Sequence, residues 1–174
     1  ARGGRNGETV AYGEEGGRVP NLDTMTSPNI ACGQGHCCAW DPMQQGQPII
    51  RCWGRNDRGQ CGTNNSTTPV GEPQNIAIPG ALRIVSMALG FNHTCASVEM
   101  TGIEQPERVY CWGDNSDGKL GLGPAGPGST HTPTLVLDAI TGNTMQRVEQ
   151  AIVAGPEHTC GNLGGNDAMA QGYF

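Results

Sequence analysis

Two short sequence signatures recur along the 174 residues, and their spacing constrains the fold more than any other feature. The first signature, G-x-x-H-x-C, occurs at 33–38, 90–95 and 155–160. The second signature, C-W-G-x-N-x-x-G-x-x-G, occurs at 52–62 and 111–121. Successive copies begin 57, 65 and 59 residues apart, so the chain is built from units of about 58 residues, a period typical of repeat architectures.

Within one unit, the sequence predicts short β-strands rather than helices. The runs 75–78, 83–89, 95–100 and 108–112 are apolar or β-branched and are separated by Gly, Pro, Asn and Thr. The chain also contains 28 glycines and 12 prolines, which disfavour long helices. A β-repeat of this length cannot bury its own faces unless it stacks radially beside its neighbours. We therefore predict an all-β fold of about three four-stranded β-propeller blades.

The predicted domain organisation is a single propeller segment over residues 1–174. Its repeats are expected at about 14–62, 63–121 and 122–174, with 1–13 completing a terminal blade. Propellers close with roughly four to eight blades, so the chain is expected to form part of a larger or an oligomeric propeller. Two explanations stay open: the chain is a piece of a longer propeller, or its copies lend each other terminal strands and close a ring or extend a fibre.

The signatures resemble those of the regulator of chromosome condensation repeat, also called the alpha-tubulin suppressor-like repeat. The family pattern A-G-x-x-H-T-C-A, followed by V-x-C-W-G-x-N-x-x-G-Q-L-G, is matched nearly throughout by 88–96 and 109–121. The resemblance implies a β-propeller, commonly seven-bladed, and the cysteine-bearing form is similar to that of exported bacterial members. Two positions depart from the pattern, since Cys61 stands where leucine is usual and Cys37 where threonine is usual.

The eight cysteines favour an oxidising compartment, because no pair of C-x-x-C motifs suggests a metal site. Cys38 and Cys52 are 14 residues apart, and Cys95 and Cys111 are 16 apart. These separations suit adjacent antiparallel strands, so we predict the disulfides Cys38–Cys52 and Cys95–Cys111. Cys160 has no downstream partner. Its possible partners remain open: Cys32, Cys37, Cys61 or a residue outside the chain.

The charge balance argues against two classes of partner. Ten Lys and Arg against sixteen Asp and Glu give a net charge of -6 without any basic run, which disfavours nucleic acid and anionic membrane surfaces. No window of about eighteen apolar residues exists, so no membrane insertion is expected. Together with the cysteines, this composition predicts a secreted or cell-surface protein.

Residues that recur with the signatures are interpreted as structural. The histidines are expected to be buried hydrogen-bonding groups, the tryptophans to pack between blades, and the asparagines to bridge turns. The glycine after each tryptophan is expected to supply a turn with positive φ. These residues are His36, His93, His158, Trp53, Trp112, Asn56, Asn115, Gly54 and Gly113. Trp40 breaks the repeat register and is the candidate exposed aromatic for binding.

No catalytic residue, metal ligand or cofactor is predicted. The sequence contains no G-x-S-x-G, and the H-x-C pairs lack a shared orienting acid. The segment 114–118 resembles the start of a calcium loop, but its twelfth position is Ala125 instead of glutamate, which leaves only a weaker loop site open. Asn64, Asn65 and Asn92 begin glycosylation acceptor sequences that matter only in a eukaryotic secretory host.

The leading functional hypothesis is a non-catalytic extracellular propeller that binds a protein or a glycan at a cell surface. Recognition is expected on the loops whose lengths vary most between units, 41–47, 63–73, 101–107 and 121–132. One alternative is a structural subunit that binds copies of itself and assembles into an extracellular fibre or sheath. A second alternative is an inhibitor of a secreted enzyme. An enzyme would require a polar cluster at the propeller axis, which the sequence does not indicate.

Overall fold

The computed structural model describes residues 2–3, 10–11, 19–44, 47–66, 69–102, 107–123, 126–137 and 152–161. Within these ranges the regular elements are twelve β-strands, and no helix is present. None of the described residues therefore belongs to a helix long and apolar enough to cross a membrane. The all-β prediction is confirmed.

Two four-stranded antiparallel sheets make up most of the structure. Strands β1 (Arg2–Gly3) and β2 (Val10–Ala11) pair with each other. The first sheet, blade 1, has the order β3 (Asn29–Cys32), β4 (His36–Gln44), β5 (Gln47–Gly54) and β6 (Val70–Ile76). The second sheet, blade 2, has the order β7 (Ala81–Leu89), β8 (His93–Met100), β9 (Glu107–Asp114) and β10 (Ser129–Leu135). Strands β11 (Val153–Ala154) and β12 (Thr159–Cys160) form a pair that we call blade 3.

The blades are offset from the predicted sequence repeats. The first signature enters the second strand of a blade, and the second signature begins near the end of the third strand. The fourth strand comes later, so β6 lies beyond the repeat boundary expected after residue 62. The repeat limits thus mark the sequence period, while each sheet extends further along the chain. Most of the segment 1–13, expected to complete a terminal blade, lies outside the described residues.

Of the three hydrophobic clusters that the described residues form, two lie between the blades, and the third packs one face of blade 1 against Met25 and its neighbours. One cluster joins Cys38, Ile50 and Ile76 of blade 1 to side chains of blade 2 that include Ile84 and Trp112. A second cluster joins blade 2 to blade 3 and includes Leu120, Val136 and Ile152. Each sheet is therefore stabilised by burying its faces against its neighbours, as expected for part of a propeller.

Two glycines are required where the second signature turns away from its strand. Gly54 and Gly113 have φ angles of 104° and 103°. A Cβ atom at Gly54 would lie 2.9 Å from the Cα of His36, and one at Gly113 would lie 2.8 Å from the Cα of His93. Because any side chain would strain the backbone and collide with the neighbouring strand, only glycine fits both positions.

Candidate functional site

The G-x-x-H turn brings each recurrent histidine back over its glycine. The amide of Gly33 donates to the carbonyl of His36 at 2.9 Å, and that of Gly90 donates to the carbonyl of His93 at 3.0 Å. A Cβ atom at Gly33 would lie 2.8 Å from the imidazole Cε1 of His36. The signature therefore combines glycine with histidine, because the imidazole occupies the space that a side chain at the glycine position would fill.

Both buried histidines connect one blade to the next. His36 Nε2 lies 2.8 Å from Thr94 Oγ1, and His93 Nε2 lies 2.9 Å from Thr159 Oγ1. Thr94 donates its own hydroxyl proton to the carbonyl of Gln60 at 2.8 Å. His36 must therefore donate from Nε2, which fixes the tautomer of its neutral ring.

These histidines are poorly suited to acid–base or metal chemistry. Burial and, to a smaller extent, the nearby His93 together lower the pKa of His36 to about 4. Burial and the charge of Lys119 likewise lower the pKa of His93 to about 4. The described residues contain no cluster of three His, Cys, Asp or Glu side chains that could hold a metal ion. The expectation that the third copy, His158, is buried is wrong: it is exposed in blade 3, because none of the described residues forms a further blade beside it.

An ammonium group lies where the sequence suggested a weak calcium loop. Lys119 Nζ is 2.8 Å from Asp114 Oδ2 and 2.5 Å from Glu157 Oε2, and its side chain is only 2% exposed. Burial alone lowers the pKa of Lys119, but its hydrogen bonds to these carboxylates outweigh burial and raise that pKa to about 12. The ammonium group of Lys119 thus pairs with Asp114, a carboxylate that a calcium site in this loop would use.

The recurrent asparagines hold the turn and the loop that follows it. Asn56 Oδ1 accepts from the amide of Cys61 at 2.9 Å, and Asn115 Oδ1 accepts from the amide of Leu120 at 3.1 Å. Asn56 Nδ2 also donates to the carbonyl of Asn65 at 3.0 Å. Each signature asparagine therefore fixes the start of one of the loops expected to vary.

The structure accounts for the cysteines of blades 1 and 2. It joins Cys38 to Cys52 and Cys95 to Cys111, the pairs expected from their spacing. Its third disulfide, Cys32–Cys37, answers a question that the sequence left open. Cys61 and Cys160 are free thiols. Burial raises the pKa of Cys61 to about 12, which makes that thiol unreactive at neutral pH.

The expectation that Trp40 is exposed is wrong. Trp40 is only 9% exposed and belongs to the hydrophobic cluster between blades 1 and 2. Trp40 lies two residues beyond Cys38 on β4, and side chains two apart in a strand point to the same face. Strand alternation could therefore have predicted its burial. Trp53 and Trp112 are also buried. Trp112 packs between blades 1 and 2 as expected, whereas Trp53 packs against Met25, which precedes blade 1, and not against blade 2.

A groove lies between blades 1 and 2, where the loop 62–66 and β6 face β10. Its volume is about 760 Å³. Side-chain amides and small polar or proline residues line it, including Asn64, Asn65, Gln74, Asn75, Thr132 and Pro133. None of the described residues that line the groove is charged or aromatic.

The groove coincides with two of the four predicted variable loops. Its walls include residues of the loop 63–73, and Thr132 belongs to the loop 121–132. Gln74 and Asn75 were not identified from the sequence, although two adjacent exposed amides in a predicted strand were a usable signal. The other two loops, 41–47 and 101–107, are only partly within the described residues and do not line the groove.

The chain is similar to proteins of one repeat family. The Regulator of chromosome condensation (RCC1) repeat matches residues 52–97 and 107–161. Ultraviolet-B receptor UVR8 of Arabidopsis thaliana is 31% identical over 141 residues, which cover 81% of this chain and 28% of the receptor. Probable E3 ubiquitin-protein ligase HERC6 of Homo sapiens is 26% identical over 125 residues, which cover 70% of this chain and 11% of the ligase.

Solved structures show the same fold. Human WBSCR16 aligns with a TM-score of 0.59 at 14% identity, over 81% of this chain and 31% of that chain. Yeast RCC1 (Prp20), bound to Kap60, aligns with a TM-score of 0.57 at 22% identity, over 77% of this chain and 29% of that chain. This chain spans less than a third of the length of these relatives. Because the family match covers more than half of its residues, the chain belongs to the RCC1 repeat family.

Proposed function

We propose that this chain is a non-catalytic segment of an extracellular β-propeller that binds a protein or a glycan at a cell surface. The observation that carries the proposal is the groove between blades 1 and 2. It is formed by the loop 63–73 and by Thr132 of the equivalent loop 121–132, whose sequences differ between the repeats while the signatures that precede them recur closely. Variable loops on a constant scaffold are the usual place for recognition.

The scaffold beneath the groove supports binding because it is held in place before a ligand arrives. Disulfides cross the two central strands of each complete blade, at Cys38–Cys52 and Cys95–Cys111. A preformed site loses less conformational entropy on binding. The same disulfides support export, since they persist in oxidising compartments and are rare in the cytosol.

Relatives support a protein as the partner. Yeast RCC1 (Prp20) was solved in complex with Kap60, so a propeller of this fold can present a protein-binding surface. A non-catalytic role is supported by the neutral buried histidines, each of which is committed to a threonine of the next blade. HERC6 is named as a probable ligase, but this chain corresponds to only 11% of its length.

Surface binding can be measured with fluorescently labelled, disulfide-intact protein on intact cells of the source organism. We expect saturable binding that is weakened by Gln74→Glu in the groove and unchanged by Asn29→Glu, an exposed position on β3. Protease or glycosidase treatment of the cells then separates a protein partner from a glycan. Absence of saturable binding would contradict the proposal. Light scattering of the native protein tests the alternative of self-assembly, which requires a particle of about twice the chain mass of 18.2 kDa for a two-chain ring and a far larger one for a fibre.

A further inference from the structure

The groove follows the edge of a strand and does not lie across its face. Gln74 and Asn75 are consecutive in the part of β6 that pairs regularly with β5, yet both line the groove. Consecutive side chains of a strand point to opposite faces of the sheet. A groove that both members of such a pair line must therefore run along the strand edge.

The outer edge of β6 has backbone groups that are available for hydrogen bonding to an added strand. β6 is the last strand of blade 1, and it pairs on one side with β5. No other strand among the described residues is hydrogen-bonded to its outer side. An outer edge of this kind presents backbone N–H and C=O groups that can pair with an added strand.

The lining favours an uncharged polypeptide over other ligands. An amide side chain carries both donors and an acceptor, like the alternating C=O and N–H groups of an extended backbone. Part of this capacity is used within the chain, since Asn75 Oδ1 accepts from Arg51 and Gln74 Nε2 donates to the carbonyl of Glu72. The described lining has no charged side chain to select a charged ligand. It also has no aromatic ring on which a sugar could stack, so the observations favour a peptide over a glycan.

The facing walls are fixed relative to each other. The amide of Asn64 donates to the carbonyl of His131 at 2.8 Å, which ties the loop of blade 1 to β10. Thr63 Oγ1 is 3.1 Å from Asn56 Nδ2, and Asn56 is fully buried. β10 bulges between Thr130 and Thr134, and this bulge carries Thr132 and Pro133 into the groove. The groove therefore keeps its width without a ligand.

We propose that the groove binds an extended, uncharged segment of a partner protein, which adds as a strand along the outer edge of β6. The inference rests on the proposed binding function and names the ligand class of its groove. Recognition comes mainly from the strand edge, with the side chains of Asn64 and Gln74 on one side and Thr132 and Pro133 closing the other side.

The probe is a phage-displayed library of random dodecapeptides, selected on the disulfide-intact chain. We expect the selected peptides to be poor in charged residues and, as synthetic peptides, to slow hydrogen exchange at the backbone amides of 70–76, of which Pro73 has none. Gln74→Glu and Thr132→Glu, both at exposed groove positions, should each weaken binding by about tenfold or more. Asn29→Glu, on the opposite edge of the same sheet, should leave the affinity within about twofold.

Three results would overturn the inference. Peptides that protect other segments, or that are equally weakened by Asn29→Glu, would place binding elsewhere on the chain. Maltohexaose that protects 70–76 when no library peptide does would make the groove a glycan site. A library that yields no binder would exclude backbone recognition by β6. In each case, saturable binding of the labelled chain to cells would leave the broader proposed function standing, and its loss would remove both.

Discussion

The two blade interfaces use the same histidine bond but differ in charge. His36 bonds to Thr94 across the first interface, and His93 bonds to Thr159 across the second. At one equivalent position of the second signature, however, the first interface has Gln60 where the second has Lys119. Lys119 reaches across to Glu157 of blade 3, whereas the side chain of Gln60 bonds within its own turn, to Asp57 and Arg58.

This difference shows which parts of an interface the repeat fixes. Backbone geometry and the histidine bond recur, while the polar groups around them vary. The first interface leaves Asn92 Oδ1, the counterpart of Glu157, buried without a hydrogen bond, and it depends mainly on apolar contacts such as those of Trp112 and Ile84. The second interface adds a buried ammonium group, so it is more vulnerable to the loss of one charged partner.

The largest expected effect comes from acid, and it tests the feature that the interfaces share. The folded pKa of His36 and of His93 is about 4, below the ordinary value of 6.5. Below pH 6.5 the unfolded chain binds protons that the folded chain refuses, so stability is complete above pH 6.5 and falls until about pH 4. The titration of each histidine should reduce the free energy of unfolding by about 3 kcal/mol over that range. Urea unfolding at a series of pH values measures the loss.

The double variant His36→Gln and His93→Gln serves as the control for this prediction. Glutamine can donate to a threonine hydroxyl but does not titrate, so the fall between pH 6.5 and pH 4 should shrink. An unchanged slope would contradict the prediction. Asp114 would not explain the fall, because a carboxylate with a lowered folded pKa loses its contribution to stability only below its ordinary pKa of 3.8. Burial raises the pKa of Asp114, but the hydrogen bonds from Lys119 and Ser116 outweigh burial and lower it overall.

The second prediction separates the interfaces by charge. Lys119→Met should reduce the free energy of unfolding by about 4 kcal/mol, because it leaves Asp114 buried without its ammonium partner. Gln60→Met, at the equivalent position, removes a partly buried hydrogen bond to the Asp57 carboxylate and one from the amide of Arg58, and should reduce it by about 1.5 kcal/mol. Urea unfolding at pH 7 gives both values. Equal losses would show that the buried ion pair has no special weight.

The third prediction compares the two threonines. Thr94→Val removes an acceptor from His36 and a donor from the carbonyl of Gln60, so it should reduce the free energy of unfolding by about 3 kcal/mol. Thr159→Val removes the partner of His93 and a weak contact with the sulfur of Cys95, and we expect a loss of about 1.5 kcal/mol. Thermal unfolding of both variants measures the difference, and a reversed order would contradict the proposed hydrogen-bond chain.

Much of the fold could be predicted because repeats encode local rules. The glycines at 54 and 113 and the periodic strands follow from steric limits and side-chain alternation, which act within a few residues. The groove could not be predicted in the same way. It depends on where β10 of one blade lies against β6 of another, and on the bulge that directs Thr132 and Pro133 inward. The bond between Lys119 and Glu157 was missed for the same reason, since 38 residues separate its partners.

The last prediction concerns the third position equivalent to Thr94 and Thr159, which is Cys37 in blade 1. Its disulfide with Cys32 has a sequence separation of only 5 residues, and Cys32 is exposed, whereas Cys38, Cys52, Cys95 and Cys111 are fully buried. Dilute dithiothreitol should therefore reduce Cys32–Cys37 first, and the double variant Cys32→Ser and Cys37→Ser should lose about 2 kcal/mol or less. Mass spectrometry after timed alkylation identifies the order of reduction. If Cys95–Cys111 opened first, blade 2 would be locally unfolding more readily than the edge of blade 1, and the interface that carries the buried ammonium group would be the weaker of the two.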